Sequence, residues 1–116
     1  MQKQDRLKKH SAFAYVYRKG EKTSAGDLLL LSARSREGLK IGLSVTKKVG
    51  NAVTRNRVKR LLREAILKIR SRIDEGYMYV IVAYPSIVGD DFEAVCEMVE
   101  NAFKKAGKLK VCEQND

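Results

Sequence analysis

The stretch from Val45 to Ile73 constrains the fold more than any other part of the chain. Val58, Leu61, Leu62, Ala65, Ile66, Ile69 and Ile73 recur at three- and four-residue spacing. That period places them on one stripe of an amphipathic helix, running from roughly Val53 to Ile73 and stopping before Gly76. On the same wheel Asn56, Arg60 and Arg63 fall opposite the stripe, with Arg57 and Lys59 on its flanks. Between Val45 and Glu64, seven Lys and Arg face Glu64 alone. A merely solvated helix face intersperses both signs. This one does not, so its buried stripe fixes the helix and its basic face points at something anionic.

The rest of the chain repeats that polarity. Residues 1–72 hold 20 Lys and Arg against 5 Asp and Glu, whereas residues 73–116 hold 4 against 9, within a net charge of +10. A polyanion-binding face with a solvated back produces such a split. The length of 116 residues suits one nucleic-acid-binding domain over 1–116, with 1–6 and 108–116 as flexible ends. A membrane partner is disfavoured: the basic helix lacks Trp and Phe, and no run has the length of a membrane span. MQKQDRLKKH has no apolar core for a signal peptide, and Cys96 and Cys112 lack metal-type spacing. Free thiols in a reducing compartment follow, and with them nucleic acid in the cytoplasm. The protein is expected to be monomeric apart from its nucleic-acid partner.

In chain order, Ser11 is placed to N-cap a short helix ending near Gly20. Phe13, Val16 and Tyr17 share one face of it, with Tyr15 pointing elsewhere. Leu28 to Leu31 is an apolar run suited to a central strand, and a further short strand lies near Lys22. Leu39, Ile41, Leu43 and Val45 alternate with Lys40, Gly42, Ser44 and Thr46, the pattern of a strand with one buried face. The Gly50-Asn51 turn then bends the chain into the basic helix. Tyr77 to Tyr84 reads as another strand, closed by Pro85. Asp90 is placed to cap a last helix with Glu93 three residues on, over a stripe of Phe92, Val95, Cys96, Val99 and Phe103, and Gly107 ends it. The fold class is α+β: a two-layer α/β sandwich of order α-β-β-(β)-α-β-α on a mixed sheet of about four strands.

Catalytic residues are scarce. His10 is the only histidine, so a His-based acid–base pair or His-rich metal site is excluded. Asp90, Asp91 and Glu93 are the densest carboxylates, but their place at a helix start in the acidic half fits capping better than metal binding. The flanking glycines and Gly-Lys-Ser/Thr pattern of a phosphate loop are missing around Gly50-Asn51. No catalytic residue and no metal ligand is assigned.

Lys47-Lys48-Val49-Gly50-Asn51-Ala52-Val53 followed by Arg55-Asn56-Arg57-Val58-Lys59-Arg60-Leu61-Leu62-Arg63-Glu64 resembles the signature of the bacterial ribonuclease P protein family. Arg6, Leu7, Phe13, Tyr17 and Gly20 match a second family segment, Arg-Leu-(x5)-Phe-(x3)-aromatic-(x2)-Gly. The resemblance implies the protein subunit of the ribonucleoprotein endonuclease that removes 5′ leaders from precursor tRNA. It implies a left-handed β-α-β crossover, against the general right-handed preference. It also implies that the RNA subunit performs the hydrolysis with Mg²⁺ bound mainly through RNA, with no organic cofactor. Lys47, Lys48, Asn51, Arg55, Asn56, Arg57, Lys59, Arg60 and Arg63 would contact the RNA subunit. Phe13, Tyr17, Arg6, Lys8, Lys9, Lys40 and Tyr84 would contact the leader, by stacking beside cationic groups. An aromatic pair at i, i+4 is more often core, and residues alone favour core for Phe13 and Tyr17.

Four positions depart from the family pattern. Lys40 stands where Arg is common and Thr46 where Ser is, both keeping the chemistry. Met78 replaces an Asp, and Tyr84 an Arg just before the proline, exchanging a cation for a stacking surface. The alternative class is a ribosome-associated basic RNA-binding protein, which a small basic sandwich would also suit. A self-sufficient nuclease is the enzymatic alternative.

Overall fold

The four leucines at 28–31 explain the sheet. In the computed structural model, which describes residues 5–110, they open a strand buried on both faces. The elements are α1 (His10–Lys19), β1 (Glu21–Ala25), β2 (Leu28–Arg34), β3 (Lys40–Ser44), α2 (Ala52–Ile69), β4 (Tyr77–Ala83) and α3 (Phe92–Lys105). Strand order is β1-β2-β4-β3, with β1–β2 and β2–β4 antiparallel and β3–β4 parallel. The parallel pair is joined by α2, whose apolar stripe is thereby pressed onto the sheet.

Leu28 and Leu30 of β2, Ile41 of β3, and Tyr79 and Ile81 of β4 meet Val58, Leu62 and Ile66 of α2 and Val95, Val99 and Phe103 of α3. Each such side chain is fully buried or nearly so and stabilises the fold by about 1.5–3 kcal/mol. The Tyr79 ring meets Phe103 edge-on at 4.9 Å, and its hydroxyl donates to the Asp74 carbonyl oxygen at 2.7 Å. Burial pushes that phenol well above its ordinary pKa. The sheet and the α2–α3 layer are the two layers expected. The opposite face, through Leu31, Ala33 and Val80, receives α1 by way of Leu7 and Val16. A run that is apolar at every position is what a strand covered on both sides requires.

Several boundaries differ from the sequence reading. α1 begins at His10 behind Lys9, which makes no side-chain cap, so Ser11 sits inside the first turn. Gly20 ends it because a Cβ there would stand 2.4 Å from the Val16 carbonyl oxygen. α2 stops at Ile69, and a 3₁₀ turn over Arg70–Arg72 delivers Ile73 to the core, so the apolar period outlasts the helix. Asp91, not Asp90, caps α3, its Oδ1 accepting from Ala94 N at 2.9 Å. Asp90 faces Asp27 of the β1–β2 turn instead, and its Oδ2 is buried with no hydrogen-bond partner. The facing Asp27 carboxylate raises the Asp90 pKa, and Asp90 together with the Ser86 hydroxyl, which donates at 2.7 Å, lowers that of Asp27.

The expected loose ends are tied down where they are described. Asp5 receives Arg70 Nε at 2.9 Å and Nη2 at 3.2 Å, and Leu7 N donates to the Ile41 carbonyl at 3.0 Å. At the other end Leu109 bridges Ile73, and Lys110 N donates to the Arg72 carbonyl at 2.7 Å. Cys112 lies outside the described residues.

Candidate nucleic-acid interface

Buried Val45 and Val49 pin the loop after β3, with Val49 N donating to the Thr46 carbonyl at 3.0 Å, and so push Thr46, Lys47 and Lys48 into solvent. Asn51 caps α2 by accepting from Thr54 N at 2.9 Å, and Arg55 Nε donates to the Gly50 carbonyl at 3.1 Å. Asn51 and Arg55, both assigned to RNA contact by resemblance, are therefore also the residues that set the strand-to-helix bend. Asn56, Arg57 and Arg60 are exposed on α2, and Lys59 is half-buried on the flank as the wheel required. Among the described residues, no acidic side chain pairs with Lys47, Lys48, Arg55, Arg57, Lys59, Arg60 or Arg63. The first turn of α2 contains no acidic residue to offset these charges. Cations crowding the positive end of a helix dipole raise its affinity for anions.

Arg63 departs from the wheel. It is half-buried rather than outward, and its Nε is buried with no hydrogen-bond partner. Burial, then repulsion from Arg6, lowers its pKa. Arg6 Nε is likewise buried and unpartnered. The cause is the N-terminal segment, which Asp5 and Arg70 hold against α2 and which the helical wheel cannot show.

The residues assigned to the leader do not form one group. Tyr84 shares a pocket of about 660 Å³ with Thr46, Lys47 and Lys48, above Val82 and beside Pro85. Arg6, Lys8, Lys9 and Lys40 line a different basin of about 1080 Å³ beneath the start of α1, with Tyr15, Arg36 and Met78. Phe13 lines neither of these two cavities. It is half-buried with its ring on Gly42, where a Cβ would come within 2.4 Å of its Cζ. Gly42 thus leaves room for the far end of the aromatic ring to rest against β3. Tyr17 is 44% exposed and free of the core, whereas Tyr15, expected to point elsewhere, packs against the α1-side cluster. The signal for Tyr15 was its three-residue spacing from Ala12, which the Phe13–Tyr17 pairing obscured.

The carboxylates do not make a metal centre: Asp91 caps α3 and Asp90 hydrogen-bonds Asp27. No group of three or more His, Cys, Asp or Glu able to hold a metal occurs among the described residues. Cys96 is half-buried, and burial raises its thiol pKa. His10 is exposed. No described helix is long and apolar enough to cross a membrane.

Comparison with known proteins places this geometry. The family model described as Ribonuclease P matches residues 1–107. A Bacillus cereus (strain Q1) ribonuclease P protein component is 35% identical over 113 residues, 96% of this chain and 98% of its own length. The Staphylococcus aureus RNase P protein structure superposes with a TM-score of 0.83 at 27% identity, covering 91% of this chain and 98% of its own. The Thermotoga maritima RNase P protein, at 24% identity, shares the fold with a TM-score of 0.79 over 86% of this chain and 96% of its own. Strand order and the β3–α2–β4 crossover fit these structures.

Proposed function

The chain belongs to the ribonuclease P protein family, and from that premise we propose how its surface divides the work of a tRNA-processing endoribonuclease. The turn at Lys47 and Lys48 and the outward face of α2, through Asn56, Arg57, Lys59, Arg60 and the half-buried Arg63, dock on the RNA subunit. Asn51 and Arg55 hold the bend that presents them. Phe13, Tyr17 and Tyr84 receive the single-stranded 5′ leader by stacking, beside the Lys47–Lys48 amines. Arg6, Lys8, Lys9 and Lys40 add positive charge at the far end of the same face.

One observation carries this reading. Among the described residues the cations around the α2 start have no acidic partner, while Arg70 and Arg72 just beyond the helix are both paired. The missing countercharge is therefore external, and phosphodiesters supply it.

Mg²⁺ supplies the hydrolytic chemistry when bound through RNA. Asp90 and Asp91 do not fit as its ligands, one being tied to Asp27 and the other to the α3 N-terminus. The protein's share is to bind, to neutralise phosphate charge and to orient the leader. Reconstitution tests the reading: with the RNA subunit and Mg²⁺, the protein should promote leader removal at moderate salt and lower the KM for precursor tRNA. Failure to bind the RNA subunit at low salt would overturn it and return a ribosomal RNA partner to first place.

A further inference from the structure

We propose that Asp27, in the β1–β2 turn, is a positioning residue for the Tyr84 pocket: it grips the 84–86 segment at two points and so fixes where the Tyr84 ring stands. The inference rests on Tyr84 receiving the leader, and deepens that reading by naming what holds Tyr84 in place.

Tyr84 needs a holder because core packing does not supply one. It follows directly on β4 and, among the described residues, belongs to neither apolar cluster. The course of its backbone therefore decides where the ring stands. Its N–H donates to the Asp27 carbonyl at 2.9 Å, a bond that continues the β2–β4 ladder one residue past Ala83. Its own carbonyl accepts from Ile87 N at 3.0 Å, and Ile87 is buried in the core. Between these two anchors, Ser86 Oγ donates to Asp27 Oδ1 at 2.7 Å. The backbone and the carboxylate of one residue thus hold the segment that walls the pocket opposite Lys47 and Lys48.

Asp27 is itself held. Its N–H donates to Met98 Sδ of α3 at 3.0 Å, and Gly26 lies so close to that side chain that a Cβ there would stand 2.5 Å from the sulfur. The two-residue hairpin turn needs Gly26, whose φ is +55°, but accepts many side chains at the next position. Turn chemistry therefore leaves the Asp27 carboxylate without a local task, and its hydroxyl partner lies 59 residues along the chain. Hydrogen bonds to an ionised acceptor are stronger than those between neutral groups. Without this one the 84–86 segment loses a tether, and a misplacement of about 1 Å is enough to weaken a positioned contact.

Holoenzyme assembled with the RNA subunit and Mg²⁺ tests this. Asp27→Ala and Ser86→Ala should each raise KM for precursor tRNA about 3- to 10-fold with kcat held, the size of one net hydrogen bond. Binding of mature tRNA should not change. The double variant should lose no more than either single one, because both remove the same bond. Asp27→Asn keeps an oxygen for Ser86 and should restore most of the affinity. In a Tyr84→Ala background, Asp27→Ala should add nothing, since the ring it places is gone.

A further loss on top of Tyr84→Ala, or equal losses on precursor and mature tRNA, would make Asp27 a structural residue and overturn the proposal. A parent-like KM in both Asp27→Ala and Ser86→Ala would overturn it as well. A loss in Tyr84→Ala alone then leaves the leader assignment standing, whereas a silent Tyr84→Ala overturns that assignment and the positioning role with it. Should Asp27→Ala melt early, Ser86→Ala, which alters an exposed side chain, decides alone.

Discussion

Arginines at the two ends of the α2 region have opposite surroundings. At the start, Arg57 and Arg60 are exposed and make no ion pair among the described residues. Just past its end, Arg70 grips buried Asp5 through two nitrogens and also meets Glu75 at 3.3 Å, and Arg72 meets Glu100 at 3.4 Å. The helix thus carries residues of one type in two roles. Cations that the fold neutralises hold the chain together, and cations it leaves unneutralised are available to a polyanion. Charge count alone merges the two, and pairing separates them.

The largest expected effect concerns catalysis. RNA-free protein should show no leader removal from precursor tRNA, and adding the RNA subunit with Mg²⁺ should restore it. Correct 5′ cleavage by the protein alone would place chemistry in a chain whose densest carboxylates, Asp90 and Asp91, face Asp27 and cap α3.

Next in size, Arg70→Ala should cost about 2 kcal/mol of stability, because it strands the buried Asp5 carboxylate while Arg70 itself is 28% exposed. The RNA salt slope should not move. Arg57→Ala and Arg60→Ala should show the reverse pattern: stability within ~0.5 kcal/mol of the parent, and a slope flatter by roughly 0.7–0.9 per contact. Chemical denaturation and salt titration of the same four proteins read both axes. A slope change in Arg70→Ala equal to that in Arg57→Ala would erase the distinction.

Phe13 sits between the two roles, being half-buried on Gly42 and at the edge of the face proposed for the leader. Phe13→Ala should weaken precursor binding by about 1–3 kcal/mol and leave mature tRNA nearly unaffected. Tyr17→Phe keeps the ring and should keep most of the binding. Equal losses for precursor and mature tRNA would make Phe13 a core residue only.

The smallest effect is the pH response of the Asp27–Asp90 pair. Asp90, with its pKa raised by the hydrogen bond to Asp27, contributes stability below the ordinary carboxylate value of about 3.9 and loses it as pH rises through the raised value. Asp27, with its pKa lowered by the same bond, contributes above the ordinary value and loses it as pH falls through the lowered one. Asp90→Asn keeps a donor to Asp27 without the second charge. It should melt slightly higher than the parent at neutral pH, with the difference fading in acid. A lower melting temperature at neutral pH would contradict the raised Asp90 pKa.

Much of this was legible in the sequence because it follows from local period. The leucine run, the alternation around Ile41 and the α2 stripe each fix an element, and Arg57 and Arg60 fall where the wheel puts them. What stayed hidden depends on residues far apart in the chain. Arg63 turns inward because the segment carrying Arg6 packs nearby. Asp90 leaves the α3 cap because Asp27, sixty-three positions earlier, offers a partner. The residues assigned to the leader by resemblance divide between two ends of β3 because α1 lies across the sheet, which no spacing encodes.

The N-terminal segment has one more consequence, which concerns self-association. β1 and β3 are the outer strands of the sheet, and open strand margins invite copies of a chain to stack. Arg6 pairs with Ile41 along the outer side of β3, and Leu7 N takes the Ile41 carbonyl there. On the other flank, Lys105 Nζ takes the Ser24 carbonyl of β1 at 2.8 Å, and Lys108 reaches Glu21 at 3.6 Å. Both margins are thus partly closed by the chain's own termini. Trimming residues 1–7 would therefore do more than loosen Arg70: it would open a β-edge, and turbidity under concentrated, RNA-free conditions should rise.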